Sequence, residues 1–89
     1  MSKRIAIIGA VLENPKDAQD KFNSIISEFK GIVKGRMGIP MPEAGVSIIS
    51  ITVVASLDEI NTLTGRLGNI IDVTVKTSIS KKEIEVWKN

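Results

Sequence analysis

The chain has 89 residues, 43% of them apolar, with 12 Lys and Arg against 10 Asp and Glu. That is room for one hydrophobic core, too apolar for a disordered chain and too evenly charged to imply nucleic acid or an anionic membrane as partner. Histidine, cysteine and tyrosine are absent. Their absence excludes disulfides, cysteine-type zinc sites, haem attachment, Ser-His-Asp triads and imidazole metal sites.

Lys3 to Leu12 is a β-branched run with apolar residues at both parities, the pattern of a strand covered on both faces. Lys3 and Arg4 ahead of it imitate a secretory signal, but Glu13-Asn14-Pro15 stands where a small-residue cleavage site would be needed. The longest uncharged stretch, Ala44 to Leu57, falls short of the roughly 20 residues of a spanning helix. The expectation is a cytoplasmic protein.

Asn14 and Pro15 open a helix as N-cap and first residue. Ala18, Phe22, Ile25, Ile26 and Phe29 form its apolar stripe, and Gly31 suits the position just past its end. Ile32 to Met41 reads as a second strand, with Lys34 and Arg36 on one parity and Val33, Met37, Ile39 and Met41 on the other. Its glycines and Pro40 point to an edge position with a bulge. After the turn Pro42 to Gly45, Val46 to Ala55 is a strand apolar on both faces. Ser56 and Glu59 have capping-box spacing and start a second helix with Leu57, Ile60, Leu63, Thr64 and Leu67 on one face, ended by Gly68. Ile70 to Ser80 is the fourth strand.

The order β-α-β-β-α-β is that of a ferredoxin-like α+β sandwich: a four-stranded antiparallel sheet with two helices on one face. Residues 1–80 make the domain and 81–89 a C-terminal tail. The tail reads equally as a helical turn from Ser80 or as an extra strand through Ile84 and Val86, with Trp87 as its one large apolar side chain. The first and third strands are the most apolar and so central; charge falls on the second and fourth. Only one sheet face is covered by helices. The other carries Ile and Val whichever parity it takes, which predicts a homodimer or homotetramer formed through it.

No catalytic residue is assigned. Asp17 and Asp20, and Asp58 and Glu59, sit where helix caps and solvated helix faces explain them. Gly65-Arg66-Leu67-Gly68 matches a KH-type backbone-gripping loop in letters, but ends a helix instead of joining two. Neither Phe lies on a predicted strand, so the stacking platform of an RRM is missing. Gly35 to Pro40 sets two glycines around Arg36; this suits a bulged edge strand, and also an anionic group held by backbone N–H and guanidinium.

Four blocks carry a family resemblance: Gly35 to Pro40 (GRMGIP), Gly45 to Ser50 (GVSIIS), Leu63 to Gly68 (LTGRLG) and Val73 to Lys76 (VTVK). Together they resemble the small proteins known as iron-only hydrogenase system regulators, over most of the chain. The resemblance implies an ACT-like ferredoxin fold, similar to the C-terminal domain of nickel-responsive repressors, and a regulatory, ligand-sensing oligomer. A small anionic or amino-acid-like effector would then lie near Arg36 and Gly38, or near the start of the first helix at Asn14. With no His or Cys a square-planar nickel site cannot be built. No metal and no cofactor are expected, and the even charge argues against direct DNA binding. The alternative is a protein-interaction module without a small-molecule ligand.

Overall fold

The computed structural model describes residues 2–85. Its elements run β1 (Ser2–Leu12), α1 (Pro15–Glu28), β2 (Val33–Met41), a short 3-10 turn (Pro42–Ala44), β3 (Val46–Ala55), α2 (Leu57–Gly68), β4 (Val73–Ile79) and β5 (Ile84–Glu85). The main sheet is antiparallel in the order β2-β3-β1-β4, so the two most apolar strands are indeed central. This is the ferredoxin-like fold, with one addition: β5 makes the sheet five-stranded, not four.

The fifth strand continues the β4 edge of β1. Ser2 pairs with Glu85 and Lys3 with Ile84. Ser80 bridges the gap between β4 and β5: its N–H donates to the Ile5 carbonyl at 2.8 Å, and its Oγ accepts from the Ile5 N–H at 3.1 Å. Ser2 Oγ also donates to Glu83. Ile84 and Glu85 are therefore strand, and residues 81 and 82 make a bend and not a helical turn, because β1 runs past the end of β4 and offers unpaired backbone groups there. Val86 and Trp87 lie outside the described residues.

Both helices cover the face that carries Ala6, Ile8, Ala10 and Leu12 of β1 and Ile49, Ile51, Val53 and Ala55 of β3, all of them buried. Ala18, Phe22 and Ile26 of α1 and Ile60, Leu63 and Leu67 of α2 close the core. Phe22 is fully buried, and burying such a side chain contributes about 1.5–3 kcal/mol. Ile25 and Phe29, at the edge of the predicted stripe, are only partly buried.

The helix ends differ from the glycine-based expectation. α1 stops at Glu28 and its cap is Phe29, whose N–H bonds the Ile26 carbonyl. Gly68 is still helical and Asn69 caps α2. Gly45 is the only described glycine with positive φ, at 71°. The left-handed residue after α2 is Asp72, at φ 65°. It turns the chain so that its carbonyl accepts the Glu13 N–H at 2.8 Å. This turn delays β4 to Val73 and leaves Ile71 exposed.

Candidate functional site

The open sheet face is defined by register. Ile5, Ile7, Gly9 and Val11 of β1 stand opposite Val54, Thr52, Ser50 and Ile48 of β3. Thr52, Ser50 and Ile48 in turn stand opposite Gly35, Met37 and Ile39 of β2. Directly opposed residues share a face. Five of the seven exposed large apolar residues, Ile5, Ile7, Val11, Met37 and Ile39, lie here. Exposure reaches 54% at Ile7 and 60% at Met37. The β4 part of the face holds Thr74, Lys76 and Ser78. Lys76 is the only charged residue in these rows.

Arg36 and Gly38 have the opposite parity. They stand opposite buried Ile51 and Ile49, on the helix side of edge strand β2. The predicted bulge is present, as a register shift between Val33 and Gly35. It sits at the edge of the sheet, where β2 has no outer neighbour to hold it in step. Arg36 reaches across to α1: its guanidinium carbon is 5.8 Å from the Phe22 ring centroid, and Nη2 donates to Asn23 Oδ1 at 2.6 Å. The guanidinium is thus pre-oriented over an aromatic ring, with the rest of its donor fork exposed. A Cβ at Gly38 would meet nothing within 4 Å.

Two adjoining cavities follow this side of β2. One, of about 220 Å³, is lined by Gln19, Arg36 and Gly38 together with Pro40 and Ser47. The second, of about 480 Å³, begins at Asn14 and Lys16 and shares Gln19, Pro40 and Ser47 with the first. They form two lobes of one groove between the N-terminal half of α1 and the β2–β3 hairpin. The three residues named from sequence, Asn14, Arg36 and Gly38, all line it. Asn14 occupies the N-cap position, but its side chain makes no cap bond. Its Nδ2 donates to Asp17 Oδ2 at 3.0 Å instead. Sequence reasoning missed Gln19, Pro40 and Ser47, whose shared position depends on α1 crossing over β2.

Glu59, Arg66 and Glu28 have structural roles. Glu59 completes the capping box: its N–H donates to Ser56 Oγ at 3.2 Å, and its carboxylate accepts from the Ser56 N–H at 3.1 Å. The Ser56 N–H and, at 3.0 Å, the Ser56 hydroxyl both donate to the Glu59 carboxylate and hold its pKa below the ordinary value. Gly65 and Gly68 lie inside α2, so they form no backbone-gripping loop. Arg66 instead forks onto Glu28 and lies 5.8 Å over the Phe29 ring. The groove between α1 and α2, about 570 Å³, is crossed by that pair. Among the described residues no three acidic side chains converge as a metal site would require. No described helix is long and apolar enough to cross a membrane.

Residues 4–77 match the TM1266-like family model, described as "Iron-only hydrogenase system regulator, putative". The chain belongs to this family. The match takes in β1 through most of β4 and includes every groove residue named above. Among solved structures, uncharacterized protein TM1266 from Thermotoga maritima superposes with a TM-score of 0.85 at 33% identity, over 89% of this chain and 99% of that one. No curated protein matches the chain. The regulator family thus has this ferredoxin-like sheet as its framework, and the segment past residue 77, with β5, lies beyond the family match.

Proposed function

We propose that this member of the regulator family is a ligand-responsive subunit. It pairs with a second copy through the open sheet face and takes a small anionic or amino-acid-like effector in the groove beside α1. The observation that carries this reading is the alternation along β2. Gly38 and Pro40 wall the groove, Met37 stands on the open face, and Ile39, on that face by register, also borders the groove. One edge strand serves both surfaces, so a ligand that shifts β2 shifts the pairing surface with it. Arg36 supplies the charge for an anion, Gly38 the close approach, and Asn14, Gln19 and Ser47 the polar contacts.

Native mass spectrometry at low and moderate salt, followed by titration with free amino acids and small dicarboxylates, tests both parts. The expected result is a dimer or tetramer that takes up a probe in the wild type and loses it in Arg36→Ala. A monomer at tens of micromolar protein would overturn the pairing. Equal uptake by Arg36→Ala would overturn the placement of the effector.

A further inference from the structure

The open face is large in one place and hollow in another, and the two alternate. In one row across the sheet Met37 of β2, Ser50 of β3 and Gly9 of β1 stand side by side. In the next row the order of sizes reverses: Gly35, Thr52, Ile7. Met37 and Ile7 are the two most exposed apolar side chains of the face. Gly9 and Gly35 are the two positions with no side chain at all. Neither glycine is needed by the chain's own packing. A Cβ at Gly35 would meet nothing within 4 Å, and one at Gly9 only the Lys76 carbonyl oxygen at 3.9 Å. Both have ordinary negative-side backbone angles, Gly45 being the one described glycine at positive φ.

A two-fold axis that runs along β3, in the plane between two facing sheets, exchanges β1 with β2. Each strand is one spacing, about 4.8 Å, from that axis. Met37 of each copy then stands over Gly9 of the other, and Ile7 over Gly35. Ile39 meets Val11 in the following row, and the Ser50 and Thr52 hydroxyls meet their own counterparts on the axis. Facing sheets pack about 10 Å apart, a gap that a methionine against a glycine can span. The same operator leaves β4 outside the overlap, so Lys76 stays at the wet rim. An axis moved half a strand toward β1 would set Met37 against Lys76 and bury the ammonium.

Three complete rows span the three strands, and the Ile5–Val54 and Met41–Val46 pairs extend them at the two ends. The complete rows cover about 14 by 20 Å, about 300 Å² of flat area on each copy before side-chain relief is counted. That is below the roughly 1,200–2,000 Å² total of a standard specific interface, and fits a dimer at the weak end of specific association.

We infer that the partner of the open face is a second copy of this chain, docked about a two-fold axis over β3, with Met37 seated on Gly9 and Ile7 on Gly35. The inference rests on the pairing proposed above and adds its register. It identifies Gly9 and Gly35 as the residues that set specificity, because either one filled would collide with its own copy's knob.

Sedimentation equilibrium of four proteins tests it: the wild type, Gly9→Met, Gly9→Met with Met37→Ala, and Ile7→Asp. Far-UV circular dichroism checks that each is folded. Gly9→Met is expected to weaken self-association about tenfold or more, since an overfilled interface cannot close. Adding Met37→Ala is expected to recover most of that loss, a rescue that no general destabilisation produces. Should Gly9→Met not fold, Gly35→Met rescued by Ile7→Ala asks the same question of the second pair. If Ile7→Asp abolishes pairing while Gly9→Met pairs normally or is not rescued, the face stands and the register is wrong. If the wild type is monomeric, the pairing itself falls.

Discussion

Arg66 donates from Nη1 and Nη2 to the two carboxylate oxygens of Glu28, at 2.7 and 2.9 Å, and so ties the last turn of α2 to the last turn of α1. The two residues are 38 positions apart. Both side chains are substantially exposed, at 41% and 53%. The geometry is bidentate, the strongest form of such a pair, but solvent and salt screen it. Arg66 also lies over Phe29, and that contact survives when the carboxylate is removed. Arg66→Ala is therefore expected to lower the melting temperature more than Glu28→Ala. In a double-mutant cycle the coupling between them should shrink as salt is raised, and coupling independent of salt would contradict a screened ion pair.

Ser56→Ala removes the capping hydroxyl of α2 and is expected to cost about 1 kcal/mol in urea unfolding. The same cap gives stability a pH dependence. Hydrogen bonds from Ser56 hold the folded-state pKa of Glu59 below its ordinary value of 4.5. The hydrogen bond from Arg66 does the same for Glu28. A carboxylate whose pKa is depressed on folding stabilises the folded state above its unfolded value. That contribution is lost as pH falls through the folded value. Stability should therefore be level from neutral pH down to about 5 and fall below 4.5, and Glu59→Gln should flatten part of that fall. An equally steep acid limb in Glu59→Gln would show that the cap is not its source.

Asp72→Gly should stabilise the protein. Asp72 holds φ 65°, in the left-handed region that L-residues other than glycine enter at a cost of about 1–2 kcal/mol. Glycine adopts it freely but loses more chain entropy on folding, so a net gain of about 0.5–1 kcal/mol is expected. The backbone bond from Glu13 to the Asp72 carbonyl does not involve the side chain and should persist. A drop in melting temperature would mean that the Asp72 carboxylate supports the turn.

Asn23→Ala separates the structural from the binding role of Arg36. Nη2 of Arg36 spends one donor on Asn23 at 2.6 Å. Freed of it, the guanidinium keeps its seat on Phe22 and has that donor to offer an anion. Calorimetric titration with a bound anionic probe should show affinity kept or raised in Asn23→Ala. In Arg36→Ala affinity should fall about tenfold or more, the scale of one charged hydrogen bond. Affinity lost equally in both variants would mean that the Arg36–Asn23 bond only shapes the groove.

Most of the architecture is legible in the residues because it follows from local rules. Short apolar runs rich in β-branched residues and bounded by turn signals read as central strands, the Ser56–Glu59 spacing makes a cap, and the charges of β2 and β4 mark edges. The ends were less legible. Gly31 and Gly68 have the composition of helix stops, but the chain turns at Phe29 and Asp72, where β2 and β4 must enter the sheet. Local glycine preference is weaker than the demand of strand pairing. For the groove, Asn14, Arg36 and Gly38 could be named one by one. That they line one groove with Gln19 and Ser47 depends on contacts between segments far apart in the chain.

Taken by itself, the sequence determines an alternating α+β order, central first and third strands, and a second sheet face that carries Ile and Val. It leaves open which face that is, because β1 and β3 are apolar at both parities. Only tertiary packing decides. The helices settle on Ala6 and Ala10, whose small side chains let α1 and α2 come close, with Ile8 and Leu12 filling the space between. Ile5, Ile7 and Val11 are left outside, although each is larger than the alanines taken in. Close packing over small residues, and not hydrophobicity alone, selects the buried parity. It thereby puts Met37 and Ile39 on the open face and Arg36 and Gly38 on the groove.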